Sequence, residues 1–276
     1  MVDVSGLKYY YRRYKYLQRR RVELASIDEE NSNDHVYLIA YPKSGNTWMR
    51  VLLANMLNDK PDLDIAFHNV GDFIPDSHIP EQRKYVTNPD SHFNSLPIHL
   101  IKSHDGYKDF YRGKKVIYLV RNGAKVIPSF FHYINARKAV KVSYEEILNG
   151  MASHSFGSWF KHVNSWLDRK SEKILVVEYE KLRKNTEPEL QRIAEFLGLN
   201  VPKEKLQLAI KKSDFGTMKD LESKYGYFND TRTEKGKKTP FVREGATTSD
   251  KGELPDRIFK KISSQQSIIT NKLNKL

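Results

Sequence analysis

Lys43, Ser44, Gly45, Asn46, Thr47 and Trp48 stand in one run directly behind the apolar stretch HVYLIAY (residues 35–41). A cation, hydroxyls and a glycine where a strand gives way to a helix can hold an anion. Backbone N–H groups at a helix start have no internal partner, and the helix dipole favours negative charge there. Gly45 lets the backbone approach closely, Thr47 adds a hydroxyl donor and Lys43 adds charge. The lysine precedes the glycine, so this is not the triphosphatase loop GxxxxGK[ST], and it announces neither ATP nor magnesium. The same residues also fit an ordinary strand–helix connection, with Trp48 either stacked on a base or anchored in the core.

Three other apolar runs end in chemistry. PIHLIKSH (97–104) ends in Lys102 and His104, two apart and so pointing the same way. A histidine there can take a proton from a hydroxyl at neutral pH, and a lysine can neutralise charge on a transferred group. A surface lysine beside a hydrogen-bonded histidine is the plainer reading. KVIYLVRN (115–122) ends in Arg121, either a fork for oxyanions or a solvated charge. Ser129 follows eight residues later beside Pro128, which removes a helix hydrogen bond. KILVVEYE (173–180) carries Tyr179 at its end. No carboxylate cluster or close histidine pair at these loops calls for a metal, and His68, His78 and His92 are scattered.

These groups need elements to aim them. Helical patterns at 48–57, 143–151 and 186–199 alternate with the four runs. The alternation predicts an α/β fold: a central parallel sheet flanked by helices, with a strand–loop–helix site like a P-loop and a crevice beyond the strand ends. Thr186 and Glu189 read as a capping box, and Gly198 as a helix stop. Segments 58–96 and 216–240 read as long loops that cover the crevice. Residues 6–22 read as a helix with Leu7, Tyr10, Tyr14 and Leu17 on its packed stripe, and 25–34 as a polar loop. The expected division is a basic, aromatic extension over 1–24 and one domain over 25–276.

The chain has 276 residues and no cysteine, which excludes disulfides, thiolate metal sites and cysteine nucleophiles. No apolar run approaches the roughly 18 residues of a membrane span, and the N-terminus lacks the apolar stretch of a secretory signal. A cytoplasmic protein is expected. Net charge is +13, and residues 8–21 hold seven bases and no acid. Such a balance favours anionic partners.

Together the segments resemble the cytosolic-type and bacterial sulfotransferases that use 3′-phosphoadenosine 5′-phosphosulfate (PAPS). YPKSGNTW resembles the family's YPKSGTTW loop, with Asn46 for a threonine. LIKSH resembles LKTH, VIYLVRNGAKVIPSFFHY resembles the 3′-phosphate motif, and VEYEKLRKNTEPELQRIAEFLG resembles the YEDLKxNP stretch. The resemblance implies that residues 43–47 hold the 5′-phosphosulfate. It implies that Trp48, Tyr179 and Phe215 contact adenine, that Arg121 and Ser129 hold the 3′-phosphate, and that His104 is the base, assisted by Lys43 and Lys102. Adenosine 3′,5′-bisphosphate (PAP) would be the product nucleotide, and no metal is implied. The family's RKGxxGxW becomes REGATTSD, so Arg243 and Gly245 match while Glu244 replaces a lysine. The dimer signature of many cytosolic members is missing, so the resemblance does not extend to a dimer.

The acceptor is then a hydroxyl on a glycan, glycolipid or small molecule. The rival reading is a nucleic-acid or anionic-membrane binding protein built on the basic N-terminal helix. With the sulfotransferase reading no nucleic-acid partner is expected, and residues 6–22 become a peripheral contact for a membrane or polyanion.

Overall fold

The four apolar runs lie side by side as β1 (Val36–Ala40), β2 (Leu100–Ser103), β3 (Lys115–Val120) and β4 (Ile174–Glu178). They form one parallel sheet in the order β2-β1-β3-β4. The coordinates are a computed structural model that describes residues 4–29, 35–60, 62–136, 141–153, 155–226 and 254–276. Ile39 pairs with Ser103 and with Tyr118, and Val120 pairs with Glu178, so all four strands end at one rim.

The strands read as unbroken apolar runs because both faces are covered. Val36, Leu38 and Ala40 enter one core with Ile117 and Leu119. Their neighbours Tyr37 and Ile39 enter the other with Val116, Tyr118 and Val120. Helix α2 (Asn46–Leu57) covers the first face, and helices Gly123–Asn135 and Trp159–Leu167 cover the second. From β1 the chain reaches β2 on one side and β3 on the other, so strand order reverses at β1. A crevice opens beyond the strand ends at such a point.

Four expectations are corrected. First, residues 25–34 are not all loop, because α1 runs from Val4 to Glu29. Second, α1 does not pack through Tyr10, Tyr14 and Leu17, which are 68%, 59% and 37% exposed. The packed stripe is rotated onto Tyr16, Arg20, Leu24 and Ile27, a helical spacing that includes a base with 0% exposure. Arg20 can be buried because it is saturated. It donates to Asp105 Oδ2 (3.0 Å), to the Ser77 carbonyl (2.7 Å) and to Ser77 Oγ (2.6 Å).

Third, Thr186 does not cap its helix. Asn185 takes the cap position without a side-chain bond, and Glu189 instead accepts from Arg192 at 2.7 Å. The preceding helix ends at Lys184, so no extended residue is left for Thr186 to cap from. Gly198 does end the helix, at φ 82°. Fourth, 58–96 is not a loose loop: it holds helices Val70–Phe73, Pro80–Thr87 and His92–Ser95 and buries Ile65, Phe67, Phe73, Ile74 and Phe93. Residues 216–225 of the other expected loop are helical, and its later part lies outside the described residues.

Candidate active site

The loop after β1 is tight. Gly45 has φ 93°, and a Cβ there would sit 2.2 Å from Tyr179 Cε2, so only glycine lets the ring lie against the loop. Lys43 is itself left-handed at φ 69°, a strained conformation for a residue with a side chain. Its ammonium sits 4.8 Å from the Tyr133 ring centre. Asn46 is buried, and neither atom of its side-chain amide has a partner in the structure.

Arg121 leaves the end of β3 and bonds the Lys43 carbonyl at 3.2 Å, with its guanidinium 4.5 Å from the Tyr179 ring centre. Its Nε is buried and unpartnered. Trp48 meets Tyr179 edge-on at 5.8 Å and donates from Nε1 to the Ser213 carbonyl at 2.8 Å. Phe215 is half-buried and opens the helix two residues beyond Ser213. Residues 43–48, Arg121, Tyr179 and the 213–215 segment are therefore gathered at one place. Ser129 is half-buried on helix Gly123–Asn135, about one turn before Tyr133 and so on the same side as the ring under Lys43. Arg243 and Gly245 lie outside the described residues.

The end of β2 carries the second group. His104 Nδ1 lies 2.6 Å from the Ala40 carbonyl. A carbonyl only accepts, so the proton sits on Nδ1 and Nε2 is left as an acceptor. The His104 backbone N–H donates to His78 Nε2 at 3.1 Å, and His162 Nε2 donates to the His104 carbonyl at 3.2 Å. Burial holds all three histidines neutral at pH 7. His104 lies well below its usual value, through burial and then the neighbouring Lys102 charge. Burial takes His78 down to about 3 and His162 to about 4.

Lys102 is not at the surface. It is buried, and its Nζ lies 2.5 Å from Asp76 Oδ2. Asp105, directly after His104, gathers Arg20, Lys108, Tyr111 and Ser103. Burial raises its carboxyl, but the Arg20 and Lys108 charges outweigh that and hold it far below the usual range.

Sequence reasoning missed Arg20, Asp76, Ser77, His78, Asp105 and His162 at this site. One signal was available: IPDSHIP (74–80) sets three polar residues between two prolines inside an otherwise ordinary stretch. Arg20 gave none, since one arginine among seven bases does not show which is buried.

The sulfotransferase domain family model matches residues 33–274. Mouse sulfotransferase 1B1 is 30% identical over 248 residues, covering 82% of this chain and 81% of its own. Human sulfotransferase 2A1 is 32% identical over 218 residues, covering 75% and 73%. The crystal structure of a mouse sulfotransferase complexed with PAP superposes at TM-score 0.63 with 20% identity. It covers 91% of this chain and 93% of its own, a likeness of fold. Matched along most of its length by sequence and by fold, the chain belongs to the PAPS-dependent sulfotransferase family.

Proposed function

We propose that the protein transfers a sulfuryl group from PAPS to an acceptor hydroxyl by in-line displacement, with His104 as the base. The observation that carries this is the His104 tautomer: Nδ1 is tied to Ala40 and Nε2 remains an acceptor at the rim where the β1 loop begins. The residues present fit the nucleotide. Buried, unpartnered atoms of Asn46 and Arg121 await polar partners, and two cationic side chains flank a tight loop beside Trp48 and Tyr179.

PAPS, when bound, supplies an activated sulfuryl group on a phosphate leaving group. Lys43, Ser44 and the N–H groups of Gly45, Asn46 and Thr47 hold the 5′-phosphosulfate. The Ser44 N–H itself donates to the Tyr41 carbonyl at 3.2 Å, so Ser44 takes part through its hydroxyl. Trp48, Tyr179 and Phe215 line adenine, and Arg121 with Ser129 takes the 3′-phosphate, with Arg243 and Gly245 closing over it. His104 Nε2 accepts the acceptor's hydroxyl proton while Lys102 and Lys43 steady charge on the transferred group. Charge stabilisation by prearranged donors is the main term in such a reaction, since a loose transition state needs little from the nucleophile. No metal takes part in this reading. The acceptor is a hydroxyl on a glycan, glycolipid or small molecule, and the catalytic domain spans 25–276, with the part of α1 before residue 25 laid against it.

The paired variants test the reading. His104→Ala should remove transfer and keep affinity for PAP, whereas Arg121→Ala should weaken PAP binding first. Wild-type turnover in His104→Ala would sink the assigned base.

One observation favours a surface contact as well. Tyr10, Tyr11, Tyr14 and Leu17 face outward on α1 among Lys8, Arg12, Lys15 and Arg19. Aromatic rings among bases suit an anionic lipid surface, and we assign this face to a peripheral membrane contact.

A further inference from the structure

Residues 74–77 run beside β2 as an extra, isolated parallel bridge in which Asp76 is the partner of Lys102. Lys102 N–H donates to the Pro75 carbonyl at 2.8 Å, and Ser77 N–H donates to the Lys102 carbonyl at 2.9 Å. Paired residues in a sheet project to the same face, so the carboxylate and the ammonium meet side by side. Both oxygens of Asp76 are committed: Oδ2 to Lys102 at 2.5 Å and Oδ1 to the His78 backbone N–H at 2.9 Å. Its own N–H is fixed by Gln82 Oε1 at 2.7 Å, which also accepts from Arg50 at 3.1 Å. The carboxylate is therefore rigid, and Asp76 and Lys102 are only 7% and 5% exposed.

A buried ammonium is stable only beside an anion. The ionisable groups that face Lys102 are Asp76 and His78 from the bridge segment, Arg50 from α2, Arg20 from α1 and His104 from the end of its own strand. Two of these are cations, and both histidines are neutral. Asp105 is engaged by Arg20 and Lys108. Asp76 is thus the anion in this group that answers the Lys102 charge.

We propose that Asp76 is a positioning residue of the transfer reaction, holding Lys102 charged and fixed at the strand end beside His104. An ammonium has three N–H donors. One goes to Asp76, and two remain for oxygens of the transferred group. The inference rests on the reading that Lys102 steadies that group. Burial lowers Lys102 to about 8 even with Asp76 beside it, so the carboxylate decides whether the ammonium survives at neutral pH.

The test starts on the nucleotide-free protein with lysines carbon-13 labelled at Cε, the Lys102 signal being assigned by its loss in Lys102→Met. In Asp76→Asn the Lys102 titration midpoint should fall by about one pH unit or more, a tenfold change in proton affinity. Asp76→Glu should bring it back towards wild type. The alkaline limb of kcat should move down by the same amount, which loss of a merely structural ion pair would not produce. An unmoved midpoint in Asp76→Asn, or a moved midpoint with an unmoved alkaline limb, overturns the role of Asp76.

If Asp76→Asn does not fold, the reverse measurement decides. The Asp76 carboxyl should titrate higher in Lys102→Met than in wild type, and an unchanged titration overturns the pairing. Full turnover in Lys102→Met would instead overturn the reading of Lys102 beneath it. That failure is separate from an unmoved midpoint.

Discussion

At the scale of single residues, the proposed chemistry turns on one proton. The Ala40 carbonyl accepts from His104 Nδ1, which fixes the tautomer, and burial with the Lys102 charge keeps the ring neutral. A base must be unprotonated, so it fails only when pH falls through its own pKa. The acid limb of kcat/KM should therefore lie well below pH 6.5, the ordinary histidine value. A limb at or above 6.5 in a pH–rate series would contradict this assignment. His104→Ala should lower kcat by roughly 10²–10⁴-fold, the usual worth of a general base. Steady-state assay beside PAP titration would separate that loss from lost nucleotide affinity. The shared rim of His104, Lys43 and Arg121 was legible because each stands at or just behind the end of an apolar run. Asp76 and His78 were not, because a bridge of one residue pair has no period for a pattern to show.

At the scale of elements, the end of β2 is clamped by chain that comes from far away. Arg20 on α1 bonds Asp105, 85 positions on, and Ser77, 57 positions on. Arg20→Met would leave the Asp105 charge buried without its main partner, which costs about 3–5 kcal/mol. Urea unfolding should report that loss, while Tyr14→Ala on the outward face should change stability by less than about 0.5 kcal/mol. Equal effects would mean that the clamp contributes little. The buried histidines set the acid behaviour. His78 and His162 have lowered values in the fold, so the unfolded chain takes up their protons first as pH drops from 6.5. Stability should fall with pH in that window, by up to about 1.4 kcal/mol per unit for each histidine. The fall ends near pH 4 for His162 and near pH 3 for His78. His162→Gln should flatten the slope by one such increment, and an unchanged slope would contradict the burial argument. The sheet was legible because strands covered on both faces become continuous apolar runs. The packed stripe of α1 was not, because burying a guanidinium depends on partners dozens of residues away.

At the scale of the whole molecule, the proposed reading gives the net charge of +13 two distinct uses. Some bases serve the crevice or the interior, as Lys43, Lys102, Arg121 and Arg20 do in the proposed reading. Others line the outward face of α1, where each Lys or Arg near an anionic lipid surface is worth about 1 kcal/mol. Sedimentation should find the protein on phosphatidylserine vesicles and not on phosphatidylcholine alone, with binding weakened in a Tyr10→Ser, Tyr14→Ser variant. Unchanged binding in that variant would put the contact elsewhere. The acceptor was not legible, because hydroxyl recognition depends on how segments such as 58–96 pack over the rim rather than on a local motif. The central claim is that the rim of the sheet binds a nucleotide through separate 5′ and 3′ anionic groups. Calorimetric titration with PAP, beside 5′-AMP and ATP, tests it most directly. Binding of PAP that clearly exceeds both controls, and that Arg121→Ala weakens, is the predicted result. Equal binding of PAP and 5′-AMP would contradict the claim, since no grip on the 3′-phosphate would then exist.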